Sequence, residues 1–500
     1  MRSKSDHEDL HEYLLDAGNM AGGHAERAYF PETSDEVAEI LRDANDNRTP
    51  VTICGARTGT VGGAVPFGGH IISLEKLNRI KRIDAKHRTA IVEAGVILGD
   101  FQKAVERERL FYPPDPTEWS CQIGGTVATN ASGARSFKYG ATREFVRALE
   151  VVLPSGERLR LRRNEVFSDE NGIISLTLDS GKRLTVMAPT YQRPSVRKNV
   201  SGYFNAQPLD AMDLFIGSEG TLGVITEIEL RLLPKPEGLF SGIIFFTQEA
   251  DLLGFVEEAR ESSFAARRCE RGAGNLQVDA TLLEFFDDRS LQFIAEKHPE
   301  TPQGMAGAVF FEQETRADTE DALLAAWNEL LERHNAEAEI SWFTTNEGDR
   351  EKMREFRHSL PVTVNERVVR NMQKKIGTDM AVPDENFRGF LEFYKSILEA
   401  GGMEYVIFGH IGDCHLHANL LPKNDAEAIR ARNIYGRCIA QAIMLGGCVS
   451  AEHGIGKMKA KYLYAMMGER YINEMAEIKK VFDPNGILGR GNMFDAKFIE

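Results

Sequence analysis

The spacing of apolar and polar positions divides the chain into segments of different period. In TSDEVAEILRDAN, Val37, Ile40, Leu41 and Ala44 recur at helical spacing on one face, and Thr33 with Glu36 supplies a capping-box signature ahead of them. A helix is predicted there. The next run, PVTICG, is short, apolar and β-branched, which predicts a buried strand. Glycine-rich strand and loop material continues to GVITEIELRLLPKPEG, an alternating strand closed by Pro234 and Pro236. Past that Pro-Lys-Pro stretch the texture changes. GLFSGIIFF reads as a strand, TEDALLAAWNELLERH as an amphipathic helix, and a helical C-terminus ends in the turn sequence FDPNGILGRGNMF. Strands and helices mix on both sides of the prolines, so the predicted class is α+β. No internal repeat or low-complexity segment interrupts it.

Composition bounds the function. A chain of 500 residues exceeds what one hydrophobic core supports, so two or three domains are expected. A formal net charge of -15 argues against nucleic acid as a partner, because a polyanion is repelled. No apolar stretch approaches the roughly 20 residues needed to cross a bilayer. The start, MRSKSDHEDLHEYLLDAG, is charged and lacks an apolar signal core. The cysteines (Cys54, Cys121, Cys269, Cys414, Cys438 and Cys448) are scattered without a C-x-x-C pair. That pattern suits a reducing compartment and argues against a protein-bound iron–sulfur cluster. A cytoplasmic location, or a peripheral one at the inner membrane, is the expectation.

Candidate chemistry begins with ICGARTGTVGGAVPFGG, which carries six glycines between Gly55 and Gly69 directly after a predicted strand. Glycine lets backbone N–H groups crowd around an anion where a Cβ would obstruct, although such loops also serve simply as turns. The spacing is neither G-x-G-x-x-G leading into a helix nor a P-loop. Similar polar glycine stretches run from Cys121 to Val146 and from Leu214 to Glu227. Three such loops suggest an extended ligand touched at several points, as a dinucleotide is. Further on, VIFGHIGDCHLHANL places His410, Asp413, His415 and His417 within eight positions. Packing alone rarely asks for that.

The ordered set CGARTGTVGG, IGGTVATNASGARSFKYG, GSEGTLGVITEIELRLLP, GHIGDCHLH, SAEHGIG and FDPNGIL resembles the FAD-linked oxidoreductases of the vanillyl-alcohol oxidase / p-cresol methylhydroxylase fold. The similarity is greatest to the branch of glycolate oxidase subunits, D-lactate dehydrogenases and D-2-hydroxyglutarate dehydrogenases, and it runs from about Ala28 to Phe494. It implies an N-terminal extension (1–27), an FAD-binding domain of the p-cresol methylhydroxylase type (28–236), a substrate cap (240–475) and a segment returning to the flavin domain (476–500). In the first loop, Gly55, Ala56, Arg57, Thr58, Gly59, Gly62 and Gly63 are then expected around the pyrophosphate. Gly124, Gly125, Thr129, Asn130, Ser132 and Gly133 fall where the family wraps the flavin and its ribityl chain. Glu219, Gly220 and Ile225 fall where it touches flavin or adenosine. Some relatives attach the flavin to a histidine in the first loop. None stands there in this chain, so FAD is expected to be non-covalent.

The same resemblance gives the histidines roles. His410, His417 and Glu452 match the ligands of a divalent metal, zinc or manganese, and His453 matches the base that takes the substrate hydroxyl proton as hydride leaves for flavin N5. His415 stands where many relatives have Asn, and is an added ligand, a flavin contact or an outer donor. Asp413 is expected to shape the turn or orient a histidine, and Cys414 replaces the usual glycine. Arg357 falls at the family's substrate-binding arginine, with Arg354 one helical turn earlier as competitor. KKIGTDMAVP has Gly377 where D-2-hydroxyglutarate dehydrogenases carry a lysine, with Lys374 and Lys375 displaced. Either Lys375 reaches the substrate from another direction or the substrate has a single carboxylate. The implied protein is an FAD-dependent, metal-assisted dehydrogenase of a D-2-hydroxy acid of the D-lactate, glycolate or D-2-hydroxyglutarate type. Its electron acceptor is a quinone, a cytochrome or an electron-transfer flavoprotein, and homodimerisation is expected of an acidic enzyme of this size. The alternatives are a flavin oxidase using oxygen and a non-catalytic flavin subunit of an electron-transfer complex. A base and a complete metal triad argue against the second.

Overall fold

The computed structural model describes residues 2–268 and 277–499, which leaves Cys269 outside. The remaining cysteines are buried free thiols. The class is α+β. Helix Ser34–Asp46 starts where the capping box sets it, with Thr33 Oγ1 accepting from Glu36 N at 3.2 Å. The reciprocal bond is displaced by one residue, since Glu36 Oε2 accepts from Glu32 N at 2.6 Å. Strand Val51–Cys54 lies parallel to His70–Ser73, which pairs on its other side with Arg27–Phe30. The first 27 residues pack onto the domain that follows them. Arg2–Lys4 adds an antiparallel edge against Ala28–Phe30, and Leu10, Tyr13 and Leu14 are buried against Phe30 and Cys54.

A second, antiparallel sheet has strand order Ile80–Asp84, Thr89–Glu93, Val224–Arg231, Val146–Val152, Arg158–Arg162. Its central strand, Val224–Arg231, buries alternate residues along its second half, as its sequence period requires. After Pro236 a seven-stranded sheet is built entirely from later residues. Its order is Trp342–Thr344, Gly238–Phe246, Gly307–Thr315, Leu282–Asp287, Tyr405–Gly409, His417–Leu420, Ile376–Gly377. Both faces of its middle are covered. On one side Trp327 of helix Glu320–Arg333 stacks 3.9 Å from Phe311, and on the other Phe356 of helix Glu347–Asn371 meets Phe286 at 6.1 Å. Double coverage explains why GLFSGIIFF is continuously apolar rather than alternating.

The chain turns back toward the first domain before residue 476. Helix Ala460–Phe482 crosses that position without a break there. Lys457 N already donates to Val61 O at 3.0 Å, and further on Lys479 Nζ donates to Thr221 O and Val51 N to Ile487 O, both at 2.8 Å.

Candidate active site

Three elements of the seven-stranded sheet present the histidines. Strand Tyr405–Gly409 delivers His410, a short turn Ile411–Asp413 follows, and Cys414 takes a left-handed conformation with φ 52° before strand His417–Leu420. That φ explains why glycine is comfortable at this position. His410 Nδ1 donates to Glu284 Oε1 from the neighbouring strand, and His417 Nδ1 donates to Thr378 O at 2.9 Å. Each bond fixes a tautomer and leaves Nε2 directed inward. The inward atoms meet Glu452 Oε2, which lies 3.1 Å from His410 Nε2 and 3.5 Å from His417 Nε2. His410, His415, His417 and Glu452 hold their ligand atoms within 4.8 Å of one another. Two imidazoles and a carboxylate with fixed outer partners form a donor set that fits a zinc- or manganese-like ion.

Glu452 is clamped from the flavin side. Lys198 Nζ and Ser132 Oγ donate to its Oε1 at 2.6 and 3.0 Å, so only Oε2 faces the histidines. Burial alone would raise the Glu452 carboxyl, but His410 and Lys198 hold it well below the usual range. His410 is likewise opposed by burial yet lifted to about 9 by Glu284 and Glu452. Burial, helped by His417, pushes His415 down to about 3.

Asp379 organises the other side. Its carboxylate accepts from Glu452 N (3.1 Å), His453 N (3.0 Å), Ser450 Oγ (2.7 Å) and Lys459 Nζ (2.6 Å). His453 Nδ1 lies 3.6 Å from Asp379 Oδ2, and its ring stacks on His417 at 5.0 Å. Burial pulls the His453 imidazole down to about 4 against the pull of Asp379. Its side chain is 37% exposed, and the lowered value leaves the ring neutral at pH 7.

A cleft runs from this cluster into the first domain, and both Glu452 and His453 line it. Gly55, Ala56, Arg57, Thr58, Gly59 and Gly63 line it from the first loop, Gly124, Gly125 and Thr129 from the second, and Glu219, Gly220 and Ile225 from the third. The three glycine stretches therefore do converge on one elongated site. A flavin dinucleotide fits it on two observations. Gln122 Oε1 is buried at the wall without a hydrogen-bond partner, and a Cβ at Gly59 or Gly125 would meet nothing within 4 Å, so the backbone there lies open to a ligand.

Four expected cofactor residues are not on that wall. Gly62 N is bonded to Asp16 Oδ2 at 2.7 Å. Asn130 Oδ1 accepts from Arg143 N at 3.0 Å. Ser132 binds Glu452, and Gly133 packs so tightly that a Cβ would sit 1.8 Å from Asp115 O. Arg57 is on the wall, but its guanidinium stacks 4.4 Å above Tyr13. Glu219 spends its carboxylate on Ile455 N and Gly456 N, both at 2.6 Å, which ties the third loop to the SAEHGIG turn.

Arg357 approaches the cluster but is charge-paired, with Nε and one terminal nitrogen 2.9 and 2.8 Å from Glu284 Oε2. Arg354 turns to Glu312 instead, at 3.3 Å. Lys375 is exposed beside strand Ile376–Gly377. Asp413 holds Lys198 at 3.2 Å rather than a histidine. Sequence reasoning missed Lys198, Glu284 and Asp379 as members of the site. Glu284 and Asp379 did carry a signal, because each is an acid inside an apolar run, LLEFFD and GTDMAV, where a charge is buried only if paired. Lys198 in VRKNV carried none.

Residues 25–162 match the FAD binding domain and residues 265–493 match the C-terminal domain of FAD linked oxidases. A D-lactate dehydrogenase of Anaerostipes hadrus is 30% identical over 470 residues, spanning 92% of this chain and 88% of that one. The chain belongs to the FAD-linked oxidase family. Another relative, a D-2-hydroxyglutarate dehydrogenase of Xanthomonas citri pv. viticola, is 31% identical over 508 residues, spanning 99% of this chain and 94% of the other. In fold, the chain is similar to p-cresol methylhydroxylase, with a TM-score of 0.68 at 14% identity over 99% of this chain and 94% of that one. It is an FAD-binding oxidoreductase. Among the described residues no helix is long and apolar enough to cross a membrane.

Proposed function

We propose that the protein oxidises a D-2-hydroxy acid to the 2-oxo acid, using non-covalent FAD and a divalent metal ion. The observation that carries this reading is the junction of the two sites, where Glu452 of the histidine cluster and His453, grouped with His417 and Asp379 beside it, both line the dinucleotide cleft. His410, His417 and Glu452 would hold the ion, while the loops at Gly55–Gly59, Gly124–Gly125 and Gly220 would hold FAD. The flavin supplies a hydride acceptor and the ion a Lewis acid for the substrate hydroxyl.

The side chains do the rest. A neutral His453 receives the hydroxyl proton at Nε2, the ring nitrogen turned away from Asp379. Asp379 holds the His453 backbone and stabilises the imidazolium that results. Glu284 joins Arg357 to His410, so the cation that faces the substrate carboxylate also tunes a metal ligand. Lys375 is a second candidate for the substrate carboxylate only if its exposed side chain folds inward. The electron acceptor, by the same reading, is a quinone, a cytochrome or an electron-transfer flavoprotein.

Anaerobic mixing of the holoenzyme with a panel of D- and L-2-hydroxy acids tests this. Bleaching of the flavin absorbance by one or more D-acids is expected, with loss after chelation and recovery with zinc or manganese. Full-rate bleaching after the metal has been removed defeats the metal assignment. Acid precipitation should release all the flavin into the supernatant, because the first loop has no histidine to bond it. A yellow pellet is the contrary result.

A further inference from the structure

We propose that His415 is a third imidazole ligand of the divalent ion, so that three histidines and Glu452 bind it rather than two. The inference rests on the metal reading above and goes beyond it. All three rings are arranged alike. On the outer side, His410 Nδ1 donates to Glu284, His417 Nδ1 donates to Thr378 O at 2.9 Å, and His415 Nε2 lies 3.2 Å from Asp379 Oδ1. On the inner side, His410 Nε2, His417 Nε2 and His415 Nδ1 lie 3.1, 3.5 and 3.9 Å from the same atom, Glu452 Oε2. An ion expanded to five ligands, with one position left for the substrate hydroxyl and bonds near 2.1 Å, keeps neighbouring ligand atoms about 3.0–3.6 Å apart, and the three distances lie in or near that range. A metal-bound histidine usually donates its other ring N–H to a carboxylate or a backbone carbonyl, and each of these rings has such a partner on its outer side.

The inward nitrogen of His415 has no other partner. The residue is 0% exposed, its Nε2 lies against Asp379, and Nδ1 makes no hydrogen bond. A buried polar atom left unpaired costs roughly 1–3 kcal/mol, which a metal bond at Nδ1 would offset. The local chain geometry serves this placement. The left-handed turn at Cys414 starts a short extended stretch on which residues 415 and 417 face the same side, with ring centroids 4.5 Å apart. The chemical consequence is selectivity. Three imidazoles favour zinc over manganese, which prefers carboxylate and water.

X-ray absorption on the zinc-loaded FAD holoenzyme counts the coordinated imidazoles without any mutation, and three are expected. In parallel, His415→Asn should lower zinc affinity at least about 100-fold, above the range typical of outer-shell changes, while flavin content and melting temperature hold. It should also change the visible spectrum of the cobalt-substituted protein. Two imidazoles in the wild type, or an unchanged affinity and cobalt spectrum in His415→Asn, overturn this inference and leave the three-residue site standing. A holoenzyme that takes up no divalent ion overturns both.

Discussion

His453→Asn is expected to slow flavin reduction by about 10²–10⁴-fold, the usual worth of a positioned base, while FAD and metal stay at wild-type content. The expectation follows from how the side chain is held. His453 borders the dinucleotide cleft, stacks on His417 and faces Asp379, but no described hydrogen bond from its ring supports the fold. Its backbone N–H, which Asn retains, makes the bond to Asp379 at 3.0 Å. Removing the imidazole therefore removes a proton acceptor and little else. Part of the rate should return at high pH, where hydroxide substitutes for the missing base on a metal-acidified hydroxyl. A purely architectural His453 gives a different pattern: lower melting temperature, loosely bound flavin and activity lost in proportion. Stopped-flow reduction beside elemental analysis separates the two, and a His453→Asn protein that reduces its flavin at the wild-type rate ends the assignment.

The parts of this molecule that were legible in the sequence are those whose partners are near in the chain. Thr33 and Glu36 announced a helix because a cap is a bond across three residues. Glycine loops announced a nest for the same local reason. His410 and His417 stood out because a tight strand–turn–strand puts both imidazoles within eight positions. Longer-range balance was not legible. Ser132, expected around the flavin, binds a glutamate 320 positions away, and Lys198 reaches one 254 away. No period in either segment encodes that. The docking of the first 27 residues was not legible for a related reason: three apolar residues, Leu10, Tyr13 and Leu14, are too few to show a face, yet they pack beside Phe30. Arg357 is charge-paired beside the cluster, and its carboxylate partner Glu284 sat unremarked in an apolar strand.

Lys198→Met should be among the most damaging single changes in the protein, and its damage should depend on metal. Lys198 is 3% exposed and stands between two carboxylates almost as deeply buried, Glu452 at 2.6 Å and Asp413 at 3.2 Å, with a third bond to Gly133 O at 2.8 Å. Methionine fills much of the same volume but leaves Asp413 without its cation and Glu452 with only the imidazole of His410. Removing one partner of a buried ion pair costs about 3–5 kcal/mol, because the remaining charge keeps its desolvation penalty and loses its compensation. A divalent ion on Glu452 Oε2 would replace the missing positive charge for that carboxylate and not for Asp413. The variant should accordingly show a large drop in urea or thermal stability when metal-free, and recover part of it with zinc. Wild-type protein should gain less from the same addition, since its Glu452 is already compensated. Lys198→Arg should be milder in both states, retaining the charge while straining a pocket shaped for an ammonium. If zinc stabilises Lys198→Met no more than it stabilises the wild type, Glu452 does not carry the ion, and the clamp from the flavin domain is a packing feature alone.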